Sequence, residues 1–307
     1  MSLLVVGSIA YDTIKTPHGN AENALGGSAV YFSLAAGILS PDPVRLVGVV
    51  GDDFHDRDLE FLRSRRIDTA GLEVVPGGST FRWSGEYSAD MNSRRTLSVD
   101  LNVFQDFKPK VPASFRDSKL VFLANGPPVT QMSVLDQVAK PAFVMADTMD
   151  LWIQTAKPDL LQLLSRIDGL LVNDSEALLL TDTTDVISAG AAILELGPSR
   201  VIVKKGEHGA ILFERGKIIP LPAYPVRGVR DPTGAGDSFA GAVMGHLART
   251  FKGRSGGIET RAFKEALAHG TVAASFTVED FGVARLAAVG EPEARRRFDE
   301  YRDWLAL

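Results

Sequence analysis

The 307-residue chain contains no cysteine. That absence removes disulfide bonds, thiolate nucleophiles and cysteine-ligated zinc together, and it suits a cytoplasmic location. Positive charge is not in excess either. Lys and Arg number 33 against 38 Asp and Glu, a formal net charge of −5, so no cationic surface for nucleic acid is advertised. No apolar run is long enough to cross a bilayer, so no membrane association is expected. Met1 to Gly7 runs into an apolar strand without the basic start of a signal peptide. The 5 histidines show no metal-ligand spacing, and there is no Gly-x-Ser-x-Gly elbow. Gly216-Lys217 is followed by Ile218, which is not a P-loop, and Gly7 lacks the further glycines of a dinucleotide fingerprint. Asp280-Phe281-Gly282 spells a protein-kinase magnesium motif. Its only catalytic-loop candidate, Arg57-Asp58, lies far upstream in a predicted helix and lacks the following Asn.

What remains is an ordinary globular composition, 45% hydrophobic and 23% charged, with room for one large α/β core spanning 1–307 and a small appended lobe. Leu3–Val6, Val44–Val50, Lys119–Leu123, Ala142–Ala146, Gly169–Val172 and Arg200–Val203 read as short buried strands. Helical stretches lie between them: Ala29–Leu39, Asp53–Arg66, Val129–Lys140, Pro158–Ile167 and Val186–Leu196. This alternation predicts a doubly wound, mostly parallel sheet with helices on both faces and ligands at the C-terminal strand ends. One region differs. Phe81, Trp83, Gly85 and Tyr87 alternate with polar residues, as do Leu97, Val99, Leu101 and Val103 after a polar turn. That is a β-ribbon whose apolar face needs cover, either over a site or against another chain.

The most informative run is Asp231-Pro232-Thr233-Gly234-Ala235-Gly236-Asp237-Ser238-Phe239. It leads into an apolar helix over 239–248, and a helix start exposes unpaired N–H groups that favour negative charge. Gly234 and Gly236 let an anion approach the backbone, yet Asp237 stands in the same place. A carboxylate there is explained by helix-start preference or by a base beside a transferring phosphate. A second glycine pair, Gly26-Gly27, precedes the helix at Ala29, and Asp12 follows the first strand. Facing those amides, an aspartate can accept hydrogen bonds from two neighbouring hydroxyls.

These segments resemble the ribokinase-like, phosphofructokinase-B type of carbohydrate and nucleoside kinases, across nearly the whole chain. The resemblance implies an ATP-dependent phosphotransferase acting on a hydroxyl of a small sugar or sugar derivative, with a nucleoside as the alternative acceptor. A non-catalytic sugar- or nucleotide-binding relative is the other alternative, although it has little use for Asp237. By the resemblance Asp237 takes the acceptor proton, Gly234, Ala235 and Gly236 hold the phosphoryl charge, and Asp12, Gly26 and Gly27 bind the acceptor. Asn173 and Glu176 match an Asn-x-x-Glu motif whose carboxylate organises Mg²⁺ through water; spacing alone equally describes a helix capping box. Lys205, Gly206 and Thr271 match nucleotide-contacting positions, and Asp231 and Thr233 a monovalent-cation (K⁺) site. A β-lid from about 12–25 and 79–105 is implied, which in many members also forms a homodimer. Two departures stand out: asparagines common in the family are replaced by Ala10 and Tyr31. Two polar contacts typical of ribose recognition are thereby lost, and a larger or flatter acceptor such as a nucleoside gains ground.

Overall fold

The computed structural model of the protein describes residues 1–251 and 258–306. Its strands in chain order are β1 (Leu3–Val6), β2 (Ala10–Thr16), β3 (Gly19–Gly26), β4 (Val44–Gly51), β5 (Ile67–Val75), β6 (Phe81–Tyr87) and β7 (Arg94–Asp100). There follow β8 (Leu120–Leu123), β9 (Phe143–Asp147), β10 (Gly169–Asn173), β11 (Arg200–Lys204), β12 (Ala210–Glu214) and β13 (Lys217–Leu221). Nine of them form one sheet in the order β13-β12-β11-β10-β9-β8-β1-β4-β5. Every pairing from β11 to β5 is parallel, and β12 and β13 add an antiparallel edge. Among the described residues no single helix is long and apolar enough to cross a membrane.

Alternation within the strands divides the core between the two faces. Leu3 and Val5 join the cluster under the helices Ser28–Leu39, Ala235–Thr250 and Thr260–Thr277, while Leu4 and Val6 join the one under Pro128–Leu135, Lys157–Leu164 and Val186–Leu194. Buried on both faces, such strands are continuous apolar runs, which is why they were legible in the sequence. The chain winds outward from β1 in both directions, to β4 and β5 on one side and to β8 through β11 on the other. The C-terminal end of β1 is therefore a topological switch point, where open α/β sheets hold ligands.

The other four strands form a second sheet, β3-β2-β6-β7, matching the expected lobe. Its ribbon differs from the expected register. The second strand runs from Arg94 to Asp100 rather than over 97–103, and a bulge opposite Ser84 and Gly85 breaks the alternation near Leu97. Leu101 and Val103 leave the strand for a turn of 3₁₀ helix at Asn102–Phe104. Leu97, Val99 and Leu101 stay 47%, 49% and 36% exposed, so three of the four apolar positions expected on the second strand are uncovered within one chain. Several helices are shorter than predicted: Asp56–Ser64, Pro128–Leu135 and Lys157–Leu164. β5 and the short helix Asp150–Thr155 were not foreseen.

Candidate active site

Two glycine-bearing loops meet because the helices behind them touch backbone to backbone. Gly241 and Gly245, one turn apart on Ala235–Thr250, lie against the main chain of Phe32 and Ala36 on Ser28–Leu39. A Cβ at Gly245 would stand 2.7 Å from the Ala36 carbonyl oxygen, so a side chain there would push the helices apart. Both helix N-termini consequently point into the same space. Gly27 precedes one with φ of 94° and Gly234 the other with φ of 74°, backbone angles that favour glycine. Gly234 is also roofed by the Tyr31 ring, which leaves no space for a Cβ.

Asp237 sits in the first turn of Ala235–Thr250, half-buried: crowded by protein, yet reachable. Burial pushes its carboxyl up to about 7, and the Asp147 charge adds to this against the pull of Lys204 and Arg94. Asp12, on β2, is buried with its carboxylate against Gly26 and accepts the Gly27 backbone N–H. Its pKa is likewise about 7, raised by burial and then by the charges of Asp231 and Asp237. The structure thus brings together Asp12, Gly26, Gly27, Gly234, Ala235, Gly236 and Asp237 as the sequence suggested.

Behind Asp237 lies a charge cluster that sequence reasoning missed. Three adjacent parallel strands, β9, β10 and β11, end on Asp147, Asn173 and Lys204. Lys204 Nζ is 3.7 Å from Asp147 Oδ2 and 2.9 Å from where a Cβ on Gly236 would stand, so its ammonium faces the mouth of the helix. Burial works against that charge, but Asp147, then Glu176 and Asp237, hold its pKa above the usual lysine value. For Asp147 burial outweighs the lysine and moves the pKa up. The lysine the resemblance suggests, Lys205, follows the end of β11 and lies 3.8 Å from Asp174, at the start of the helix Asp174–Thr181.

Asn173 and Glu176 form the complete capping box of helix Asp174–Thr181: Asn173 Oδ1 accepts the Glu176 N–H and Glu176 Oε2 accepts the Asn173 N–H, each at 2.7 Å. Capping does not exhaust Glu176. Burial, resisted by Lys204 and reinforced by Asp147, lifts its pKa to about 7, which places it in the same cluster. Gly206 (φ 53°) begins a turn, and a Cβ there would stand 3.9 Å from Asn92 Oδ1 at the tip of the small sheet. Thr271 is not brought to the cluster; it is buried in helix Thr260–Thr277, where its hydroxyl meets Tyr301. Asp231 is fully buried and acts as a loop tie, accepting the N–H of Thr233 and of Gly282 at 2.9 Å each.

The small sheet reaches over this space. The Tyr87 hydroxyl lies 3.1 Å from the Thr233 hydroxyl, Asp12 and Trp83 are cross-strand partners, and Arg94, whose charge acts on Asp12 and Asp237, stacks 5.3 Å from the Trp83 ring. At its base Arg82 holds Asp53 at 2.9 Å and Asn23 at 2.6 Å. At the switch point between β1 and β8 an apolar hollow opens beside Gly7 and Asn125, walled by Phe104 and Phe107. Chemically, the arrangement offers a proton acceptor between two sets of backbone amides, with an ammonium behind it.

Residues 2–288 match the family model described as pfkB family carbohydrate kinase. The chain is 30% identical over 255 residues to a cytidine kinase of Thermococcus kodakarensis, covering 81% of this chain and 89% of the relative. Among solved structures it is similar to a Burkholderia thailandensis nucleoside kinase in complex with inosine: TM-score 0.80, 20% identity, 97% of each chain. A ribokinase from Cryptococcus neoformans in complex with ADP is similar too, with TM-score 0.77, 23% identity and coverage of 96% and 99%.

Proposed function

The chain belongs to the pfkB family of carbohydrate kinases and is an ATP-dependent kinase, and we propose that its acceptor is a hydroxyl of a nucleoside. The observation that carries the chemistry is the position of Asp237: a reachable, proton-seeking carboxylate in the first turn of a helix, beside the amides at Gly234–Gly236. In this reading Asp12 and the amides at Gly26 and Gly27 orient the acceptor. As its oxygen bonds to the γ-phosphorus, Asp237 accepts its proton and the bond from phosphorus to the bridging oxygen breaks, leaving ADP. The Gly234–Gly236 amides and Lys204 offset the charge gathering on the equatorial oxygens. Such a base contributes about 10²- to 10⁴-fold in rate.

Mg²⁺ fits the donor set. Asp147, Glu176 and Asp237 present three carboxyls to one buried ammonium, Lys204, and burial keeps all three pKa values up. Glu176 and Asp147 would hold the ion, which would supply positive charge to the phosphate oxygens. K⁺ beside Asp231 belongs to the same reading; turnover compared in potassium and in choline salts tests it.

A nucleoside is preferred to a free sugar on two grounds. Similarity to the cytidine kinase spans most of both chains, and Ala10 and Tyr31 stand where ribose-binding relatives commonly carry asparagine. A free sugar remains the second reading, because Asp12 with two glycine amides suits neighbouring hydroxyls on either acceptor. ADP release measured with ATP against cytidine, inosine, ribose and deoxyribose decides between them. Turnover with ribose alone removes the nucleoside reading, and no ADP with any nucleoside or sugar removes the kinase mechanism as assigned. The small sheet is proposed as a lid that closes on the acceptor and pairs in a homodimer through Leu97 and Val99. A mass measurement in solution showing a monomer removes the second part. A cytoplasmic location completes the proposal.

A further inference from the structure

The C-terminal half of helix Ala235–Thr250 and the N-terminal half of helix Thr260–Thr277 pack side by side in opposite directions, away from the charge cluster. Gly270 lies against Phe239 and Val243, and one to two turns further on His246 meets Glu265 and His269. One ligating atom from each of these three residues lies within 4.8 Å of the other two. We propose that His246, Glu265 and His269 form a binding site for one divalent transition-metal ion of the zinc type, clamping the two helices together.

Glu265 and His269 are four residues apart on one helix, so one turn places both side chains on the same face. His246 approaches from the facing helix. It is 6% exposed, and its ring stacks on His269 at 4.4 Å, which stacks in turn on Phe298 at 3.8 Å and 5°. The rings are therefore held in place by packing rather than by hydrogen bonds. Among the described residues neither imidazole bonds through a ring nitrogen, and Glu265 has no ion-pair partner. Arg249, one turn beyond His246, does not fill the space; its guanidinium is committed to the Leu39 carbonyl and to Glu291, both at 2.7 Å.

Zinc takes imidazole nitrogen at about 2.0–2.1 Å and carboxylate oxygen at about 2.0–2.2 Å. Closing three donors from 4.8 Å or less around one ion is a rotamer adjustment, most readily of the exposed Glu265. Two imidazoles and one carboxylate suit zinc, cobalt or nickel rather than magnesium or calcium, and solvent completes the shell. The site stands nine residues along the helix from Asp237, roughly 14 Å at about 1.5 Å per residue, too far to touch the reacting atoms.

The test is titration of tag-free, full-length protein with Co²⁺, read by its visible absorption, followed by displacement with Zn²⁺. Excess Mg²⁺ is kept present so that the carboxylates proposed to hold it, Glu176 and Asp147, do not take Co²⁺, and the remaining histidines, His18, His55 and His208, are exposed and, among the described residues, belong to no such cluster. One ion per chain is expected, weakened at least about 100-fold in His269→Ala and at least about 10-fold in Glu265→Gln, since even outer partners of ligands count for about 10- to 100-fold. At equal concentration Zn²⁺ should also raise the melting temperature of the native protein more than that of Glu265→Gln. Should His269→Ala fail to fold, the exposed Glu265→Gln decides alone. No stoichiometric cobalt band, or native affinity in Glu265→Gln, overturns the proposal.

Discussion

Asp237→Asn should make the protein slower and more stable at once, and the two effects have a common cause. Asn cannot take a proton from an alcohol, so turnover is expected to fall about 10²- to 10⁴-fold while ATP still binds. In barrier terms that is about 3–5 kcal/mol. The stability effect follows from the raised pKa, about 7 against an ordinary 3.8. A carboxyl that holds its proton more tightly folded than unfolded costs nothing below about pH 4, where both states are protonated. As pH rises through 7 the folded state must carry a charge that burial disfavours, and the full cost is present above about pH 8.

The interval between 3.8 and 7 corresponds to about 4 kcal/mol at 1.36 kcal/mol per unit. Water reaches this carboxylate, so screening leaves roughly half of it, about 2 kcal/mol. For domains somewhat smaller than this one, 1 kcal/mol moves the melting temperature by about 2–4 °C. This chain is longer and its unfolding entropy larger, so Asp237→Asn should melt about 3 °C above the native protein at pH 8, with the gap shrinking toward pH 4. Coupled ADP release and thermal unfolding across pH 4–8, on the same samples, measure both quantities. Near-native turnover rejects Asp237 as the base. Lost turnover with no gain in stability rejects burial as the source of its proton affinity.

The remaining predictions concern its neighbours. In the native enzyme kcat/KM should rise with pH and level off above about 7; Asp12→Asn should retain this limb while weakening acceptor binding, and Asp237→Asn should abolish it. Lys204→Met should lower turnover and move the limb to higher pH by about one unit, because the acids lose their one buried counter-charge, whereas Lys205→Met should do little. Equal effects of the two lysines would refute the facing assigned to Lys204. Trp83→Ala should raise the acceptor KM more than it changes ATP affinity, since its cross-strand partner is Asp12; unchanged acceptor KM and unchanged association state would remove the residue from the lid.

The parts of the molecule legible in the sequence are those that one short segment specifies. Strands such as Leu120–Leu123 announce themselves because both faces are buried, and Gly234 with Asp237 because a helix start and its acid lie within four residues. The ribbon register was less legible: the bulge opposite Ser84 and Gly85 depends on the partner strand, not on either strand alone. Asp147 and Lys204 were missed because each reads as a charged residue closing a strand. A signal was present. Pairing β9, β10 and β11 sets Asn173 beside Lys204 and Asp147 beside Leu171, two positions back on the same face, a pattern visible only once the strands are known to be adjacent and parallel. Thr271 is the converse case: similarity supplied a position, and only the packing of the helices shows that its hydroxyl meets Tyr301. The His246 cluster combines both cases. The spacing of Glu265 and His269 was in the sequence, and only the pairing of two helices adds His246.

The row of strand ends also explains why this site is held by so much packed structure. Asp147, Glu176 and Asp237 all resist ionisation where they stand, and Lys204 answers only part of their charge. Such an arrangement is unfavourable for the folded state and persists because the surroundings fix it: two helices in backbone contact at Gly241 and Gly245, and three parallel strands in register. A site designed for stability alone would replace one acid with a neutral residue. The same deficit is productive for phosphoryl transfer, where added cation meets unanswered carboxylate and the base must want a proton near neutral pH. The rigidity of the helix pair and the frustration of the charges are therefore two sides of one requirement: loosening Gly241 or Gly245 would let the acids move apart, relieve the strain and remove the reason Asp237 can act.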